Sequence, residues 1–162
     1  MATSTRSDLD PLALGQQVCF ALAVTNRAVL AVYRPLLEPL GLTHPQYLVM
    51  LTLWDHQKVA VGGHPPLSVK QIAAALQLDS ATLSPMLKRL AALGFITRTR
   101  SAADERSTHV VLTERGTALR NRALEIPPAV VTRLGVDLAE LEELRRVLTR
   151  VNSAALAAGA LD

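Results

Sequence analysis

At 162 residues, 49% hydrophobic and only 3% aromatic, the chain has the length of one domain and an Ala/Leu/Val interior that suits helices better than sheets. A net charge of +3 and a pI near 9.5 are compatible with nucleic acid or an anionic surface. The one cysteine excludes an internal disulfide and fits a reducing compartment, no apolar core follows Met1–Asp10 as in a signal peptide, and no run reaches the roughly 18 uninterrupted apolar residues of a membrane span. A soluble cytoplasmic protein is the expectation.

In chain order, residues 1–9 are polar and are expected to form a disordered lead. Asp10-Pro11 reads as a cap and first-turn proline ahead of a long helix that runs to about Arg34, where Pro35 intervenes. Leu12, Leu14, Val18, Cys19, Phe20, Leu22, Val24, Val29, Leu30, Val32 and Tyr33 wrap nearly around that helix. A helix apolar on most sides must be covered on most sides, and a domain this small points to a second subunit as the cover. PLLEPLGL is a connector, Thr43 caps the buried helix HPQYLVMLTLWDH with Pro45 in its first turn, and KVAVGGHPP is a loop or a short strand followed by a loop.

The segment Ser68–Thr113 carries the most local information. Ser68 stands three residues before Gln71, the capping-box spacing, at the head of SVKQIAAAL. Asp79 or Ser80 can cap the next helix, and Gly94 stands where a left-handed residue ends one. Leu83, Met86, Leu87, Leu90 and Leu93 fall three or four apart and form one stripe, while Ser80, Thr82, Ser84, Lys88 and Arg89 fall on the other face. After Gly94 the period changes: FITRTR alternates, SAADERS breaks, and THVVLT returns. Helix, turn, helix and hairpin with a charged tip make a winged helix-turn-helix, mainly α with a small β-hairpin wing (α+β).

Small polar and basic residues on the free face of a helix can enter the major groove, where base edges carry a readable code. An arginine on a projecting hairpin can reach the negative potential of the minor groove. Pro65–Thr113 holds six Lys or Arg against three Asp or Glu, and the rest of the chain eleven of each, so the net charge resides in this segment. That asymmetry points to phosphate.

Thr113 caps TERGTALRNRALEI, which meets a break at Pro127-Pro128. The last helix places Leu134, Leu138, Leu141, Leu144, Leu148, Val151 and Ala155 at three- and four-residue steps, a stripe that again suggests pairing between chains. The expected organisation of 10–162 is one domain, with 10–42 and 114–162 as dimerisation helices around a DNA-binding region at 43–113. A homodimer also suits a palindromic operator in double-stranded DNA.

The string DERSTHVVLTERG, Asp104–Gly116, resembles the wing signature of the MarR family of bacterial repressors, and LDSATLSPMLKRLAALGFITR resembles that family's recognition helix and first wing strand. The resemblance runs from Cys19 to about Pro128. It implies that Arg106 is the wing-tip arginine and that Asp104 orients a neighbouring basic side chain such as Arg98 or Arg100.

QQVCFALAVTNRAVLAVYRPLLEPLGLTHPQYLVMLTLW in turn resembles the first two helices of the organic hydroperoxide regulators (OhrR), a MarR branch. The resemblance implies that Cys19 is oxidised by organic hydroperoxides and that the dimer then leaves DNA. It also implies that Tyr33 faces the cysteine. Cys19 and Tyr33 are fourteen residues apart, roughly 21 Å along a continuous helix, so the tyrosine that meets a given cysteine belongs to the other subunit. Two departures stand out: Ala23 and His44 occupy places where relatives carry tyrosines. His44 can replace one hydroxyl, as a hydrogen-bond donor to the thiolate or as an imidazolium beside it. Tyr47 fits better as a packing residue.

Only a thiolate attacks a peroxide, and the sulfenic acid formed reacts onward with another thiol. With no second cysteine in the chain, the second reactant is a low-molecular-weight thiol, or the sulfur over-oxidises. An enzyme reading finds no nucleophile elbow, phosphate loop or local Cys/His signature. No cofactor is expected. His56 and His64 beside Asp55 make weak ligand spacing, so no metal site is expected. The remaining alternative is a MarR-type repressor released by a small phenolic or lipid-like ligand, with Cys19 inert.

Overall fold

A computed structural model describes residues 10–59, 63–102, 104 and 107–161. In chain order it contains α1 (Val18–Leu37), α2 (His44–Val59), β1 (Leu67–Ser68), α3 (Val69–Leu76), α4 (Ser80–Ala92), β2 (Ile96–Arg100), β3 (Thr108–Leu112), α5 (Glu114–Ala123), α6 (Ile126–Leu134) and α7 (Leu138–Ala157). Short 3-10 turns lie at Leu14–Gln16 and Glu38–Leu40. The lead at 1–9 and the wing-tip Arg106 lie outside the described residues.

Local chemistry sets the helix starts. The Ser68 hydroxyl accepts from Gln71 N–H at 3.2 Å while the Gln71 side-chain carbonyl accepts from Ser68 N–H at 2.8 Å, satisfying two orphan donors of α3. The same exchange opens α2, where Thr43 N–H donates to Gln46 Oε1 at 3.0 Å and Gln46 N–H to Thr43 Oγ1 at 3.5 Å. Asp79 caps α4 through a 2.6 Å bond from Thr82 N–H. Gly94 then ends the recognition helix with φ +77°, and Phe95 N–H turns back to the Leu90 carbonyl at 3.1 Å.

The core lies where these elements meet. Val49, Met50, Leu53 and Trp54 of α2, Ile72 of α3, Leu83, Leu87 and Leu90 of α4, Ile96 and Val110 of the sheet and Leu119 of α5 form one buried cluster. The sheet is antiparallel in the order β1-β3-β2, with Leu67 opposite Val110 and Arg98 on the other side of the same residue. The expected hairpin is therefore part of a three-stranded sheet. Ser68 both pairs with His109 and caps α3, so strand and helix meet in one residue.

Three boundaries depart from the sequence reading. Asp10 does not start the long helix; its carboxylate accepts from Leu12 N–H at 2.9 Å in a local turn, and α1 begins at Val18. Pro35 lies inside α1, in its last turn, where the Glu38 N–H still reaches the Arg34 carbonyl. Pro127 and Pro128 do not break a helix but sit in the first turn of α6, where the missing N–H groups have no intrahelical partner. The break falls at Leu124–Glu125, and Gly135, at φ +62°, separates α6 from α7, dividing the long terminal stripe.

Around this core, α1 and α7 stand apart. Among the described residues, Leu37 is the one buried position in the 20 residues of α1, and none is buried in the 20 of α7. Val18, Leu22, Leu138, Leu144, Leu148 and Val151 are exposed. By length and composition Val18–Leu40, with a mean hydropathy of 1.2, is apolar enough to cross a membrane. Yet Thr25, Asn26 and Arg27 interrupt it, and α1 packs along α6 and α2.

Candidate DNA interface and thiol site

The exposed face of α4 carries Ser80, Thr82, Lys88 and Arg89, with Ser84 half-buried beside them. The opposite face is anchored by Leu83, Leu87 and Leu90, fully enclosed in the core, so the helix cannot roll. The Thr82 hydroxyl is already engaged, donating to the second Asp79 oxygen at 3.0 Å. That leaves its methyl group and acceptor lone pairs on the exposed face of α4. The backbone N–H and hydroxyl of Thr82 hold the Asp79 carboxyl below its ordinary range, so the cap stays ionised at neutral pH.

Arg98 and Arg100 are exposed on β2, in register with Val110 and Thr108. The wing closes through Ser101 N–H to the Ser107 carbonyl at 2.8 Å, Ser107 N–H to the Asp104 carbonyl at 2.9 Å and Asp104 N–H to the Ser101 hydroxyl at 3.3 Å. Asp104 thus helps shape the turn through its backbone, in addition to the side-chain role the resemblance implies.

The base of the wing is gripped by the start of α5. The Thr113 hydroxyl caps α5 by accepting from Gly116 N–H at 3.0 Å and itself donates to the Gly94 carbonyl at 2.6 Å. Thr113 N–H donates to the Phe95 carbonyl at 3.0 Å. A Cβ at Gly116 would overlap that carbonyl oxygen and stand 2.9 Å from its carbon, so only glycine lets α5 approach this closely. The glycine that ends the LT-x-x-G string therefore has a packing reason. Arg115 lies over the Phe95 ring at 5.2 Å.

Cys19 is exposed on the first turn of α1. Tyr33 lies at the far end of the same unbroken helix, about 21 Å along its axis. Within the chain Tyr33 is joined instead to His44, edge-on with centroids 4.9 Å apart, and to Tyr47 at 6.1 Å. Burial favours the neutral form of each: it raises the Tyr33 hydroxyl, lowers His44 and, with the neighbouring Tyr33, raises Tyr47. At neutral pH Tyr33 and His44 are thus hydrogen-bond donors of neutral type, and the imidazolium alternative for His44 is disfavoured. Tyr33 also borders an apolar cleft of about 850 Å³ between α1, α6 and α7, lined by Leu22, Val29, Val130, Leu141 and Leu148 among others.

Tyr47 is both packing residue and cluster member, meeting Trp54 edge-on at 6.5 Å. The Trp54 indole N–H donates to the Gly116 carbonyl at 2.9 Å in the interior. No motif in the sequence marks Trp54; a lone tryptophan seven residues after Tyr47, on the same helix face, is the available signal. Among the described residues no group of three or more His, Cys, Asp or Glu gathers as a metal site would require.

The family model described as transcriptional regulator SarA/Rot matches residues 31–122. The chain is 41% identical over 138 residues to the organic hydroperoxide resistance transcriptional regulator of Bacillus subtilis, covering 85% of this chain and 86% of that one. Among solved structures it is similar to reduced AbfR bound to DNA, a Staphylococcus epidermidis protein, with TM-score 0.74, 30% identity and coverage of 89% and 93%. Disulfide-formed AbfR matches with TM-score 0.59, 31% identity and coverage of 89% and 90%.

Proposed function

The chain belongs to the MarR family of winged-helix transcriptional regulators, in its organic hydroperoxide branch, and from that premise we propose that Cys19 is its peroxide-sensing thiol. The reduced homodimer holds a palindromic operator and represses from the cytoplasm; oxidation of Cys19 releases it. The observation that carries this reading is the placement of an exposed cysteine at one end of an uncovered apolar helix and the half-buried Tyr33–His44 pair at the other. Two such helices crossing antiparallel bury each other's apolar surface and bring each Cys19 to Tyr33 of the partner subunit. Helices α1 and α7 then serve dimerisation, and 43–113 reads DNA.

The chemistry balances without a cofactor. The Cys19 thiolate attacks the distal oxygen of the hydroperoxide; an S–O bond forms, the O–O bond breaks, and the alkoxide leaves and takes a proton to become the alcohol. Sulfur is oxidised and the peroxide reduced. A small thiol then condenses with the sulfenic acid, forming a mixed disulfide and water. Donors such as Tyr33 and His44 stabilise the thiolate before attack and release it when oxygen or an adduct is added. Because the site straddles the interface, the adduct changes subunit geometry, and the two recognition helices lose the spacing of one DNA turn, roughly 34 Å.

On the DNA side, Ser80, Thr82, Ser84, Lys88 and Arg89 enter the major groove, and Arg98, Arg100, Asp104 and Arg106 serve the wing. A second reading is favoured by the apolar cleft beside Tyr33: a small phenolic or lipid-like ligand binds there and Cys19 is inert. Cys19→Ser separates the two. Loss of the peroxide response in that variant supports the thiol switch, whereas an intact response to an inducing compound moves the sensor to the cleft.

A further inference from the structure

We infer that Trp54 is a positioning residue that couples the thiol site to the joint between recognition helix and wing. The inference rests on the reading of Cys19 above and deepens it, since that reading supplies a signal at the interface but no route to the DNA-reading face.

The route is a run of close contacts through one helix. Tyr33, which faces the thiol of the partner subunit in that reading, bears on His44 at 4.9 Å and on Tyr47 at 6.1 Å. Tyr47 and Trp54 lie two turns apart on one face of α2, with their rings edge-on at 6.5 Å. Both are almost fully enclosed in the core cluster, at 4% and 3% exposure, so a displacement of one ring bears on its packed neighbours. The Trp54 N–H is bonded to the Gly116 carbonyl at 2.9 Å; a buried donor that loses its acceptor is left unsatisfied, so α2 and α5 move together there.

Gly116 in turn abuts the Phe95 carbonyl with no room for a methyl group. Thr113, one turn earlier, holds Gly94 and Phe95 through bonds of 2.6 and 3.0 Å. Gly94 and Phe95 belong to the three-residue joint, 93–95, between α4 and β2, which sets the angle between the major-groove helix and the wing. A shift of α2 at its Tyr33 end is thus delivered to the one place where both DNA-contacting elements can be reoriented at once. Between α2 and α5 the buried polar link is the indole N–H, while a second bond, from the Gln57 side-chain amide to the Thr117 hydroxyl at 3.2 Å, lies at the exposed surface. Phenylalanine at 54 keeps an aromatic ring against Tyr47 and removes the buried link.

The chain has one tryptophan, so its emission reports on this residue alone. The test uses the full-length dimer with cumene hydroperoxide as oxidant, cysteine as the small thiol, and mass spectrometry to record the state of Cys19. In the wild type, oxidation should shift or quench Trp54 emission in step with loss of operator binding, and dithiothreitol should reverse both; Cys19→Ser should show neither. In Trp54→Phe, reduced protein should bind operator within about threefold of wild type and Cys19 should oxidise at the normal rate. The loss of affinity on oxidation should fall from about tenfold or more to less than about threefold.

An unchanged emission in wild-type protein whose Cys19 is oxidised and whose operator is released overturns the coupling and leaves the thiol switch standing. Full release from oxidised Trp54→Phe does the same. If Cys19 in the wild type does not oxidise, the reading beneath fails and the coupling fails with it. If Trp54→Phe does not fold, the wild-type emission decides.

Discussion

Tyr33 meets His44 edge-on, with ring centroids 4.9 Å apart and planes inclined by 70°, across the corner where α1 gives way to α2. The pair stands where relatives are expected to carry two tyrosines, and burial keeps both members neutral. A neutral imidazole can donate one hydrogen bond, as a phenol does, so the substitution preserves the donor while changing its reach and its pH response.

In the proposed site, Tyr33→Phe removes a donor to the thiolate and keeps the ring that meets His44 and Tyr47. A hydrogen bond to a charged group contributes about 1.5–3 kcal/mol, so Cys19 oxidation by an organic hydroperoxide should slow by about tenfold or more. Trapping the sulfenic acid against time gives the rate. Operator binding by reduced protein should be unchanged, and an unaltered rate would remove Tyr33 from the site.

His44 sets a pH response of defined sign. Its folded form holds a proton less tightly than the unfolded chain, whose histidine titrates near 6.5, because burial penalises the charge. Above 6.5 both states are neutral and folding is unpenalised. As pH falls below 6.5 the unfolded chain takes up the proton first, and stability declines through the folded value. Thermal unfolding from pH 8 to pH 5 should therefore cost the wild type more than His44→Phe. Parallel curves would show that the imidazole is not desolvated as described.

Gly116→Ala forces a methyl group onto the Phe95 carbonyl, where the obstacle is backbone and cannot rotate away. Overpacking of this kind costs about 1–3 kcal/mol, and a lower melting temperature with weakened operator binding should appear together. Gly15→Ala, at an open position with nothing within 4 Å, is the control and should leave both unchanged.

The contrast between Gly116 and Ser68 marks what a sequence makes legible. The caps of α3, α4 and α5 and the end of α4 at Gly94 were readable, because each is decided within three or four residues of chain. β1 was not, since two residues become a strand only by pairing with His109 and Val110, some forty residues away. Asp10-Pro11 misled for a related reason: the same carboxylate can cap a helix or close a turn, and the chain that follows decides. At the thiol site the separation of Cys19 and Tyr33 followed from helix rise alone. The bond from Trp54 to Gly116 spans 62 residues and has no local signature.

On the recognition helix, Lys88→Ala or Arg89→Ala should weaken binding to any duplex if the side chain serves phosphate, and relax one operator position if it reads a base. For a phosphate contact, the slope of log affinity against log salt should become shallower by about 0.9 per contact removed. Arg106→Ala should weaken operator binding likewise. Unchanged affinity in all three variants would move the DNA-reading surface away from α4 and the wing.

The most direct measurement is fluorescence anisotropy of a labelled duplex from the region upstream of the protein's own gene, at stated salt, with wild type and Cys19→Ser side by side. An organic hydroperoxide and a small thiol are titrated in, and excess dithiothreitol follows. The account predicts tight binding by reduced protein, release on oxidation, recovery with reductant, and no response to oxidant in Cys19→Ser. Tight binding that ignores peroxide in the wild type, or release that persists in Cys19→Ser, would contradict it.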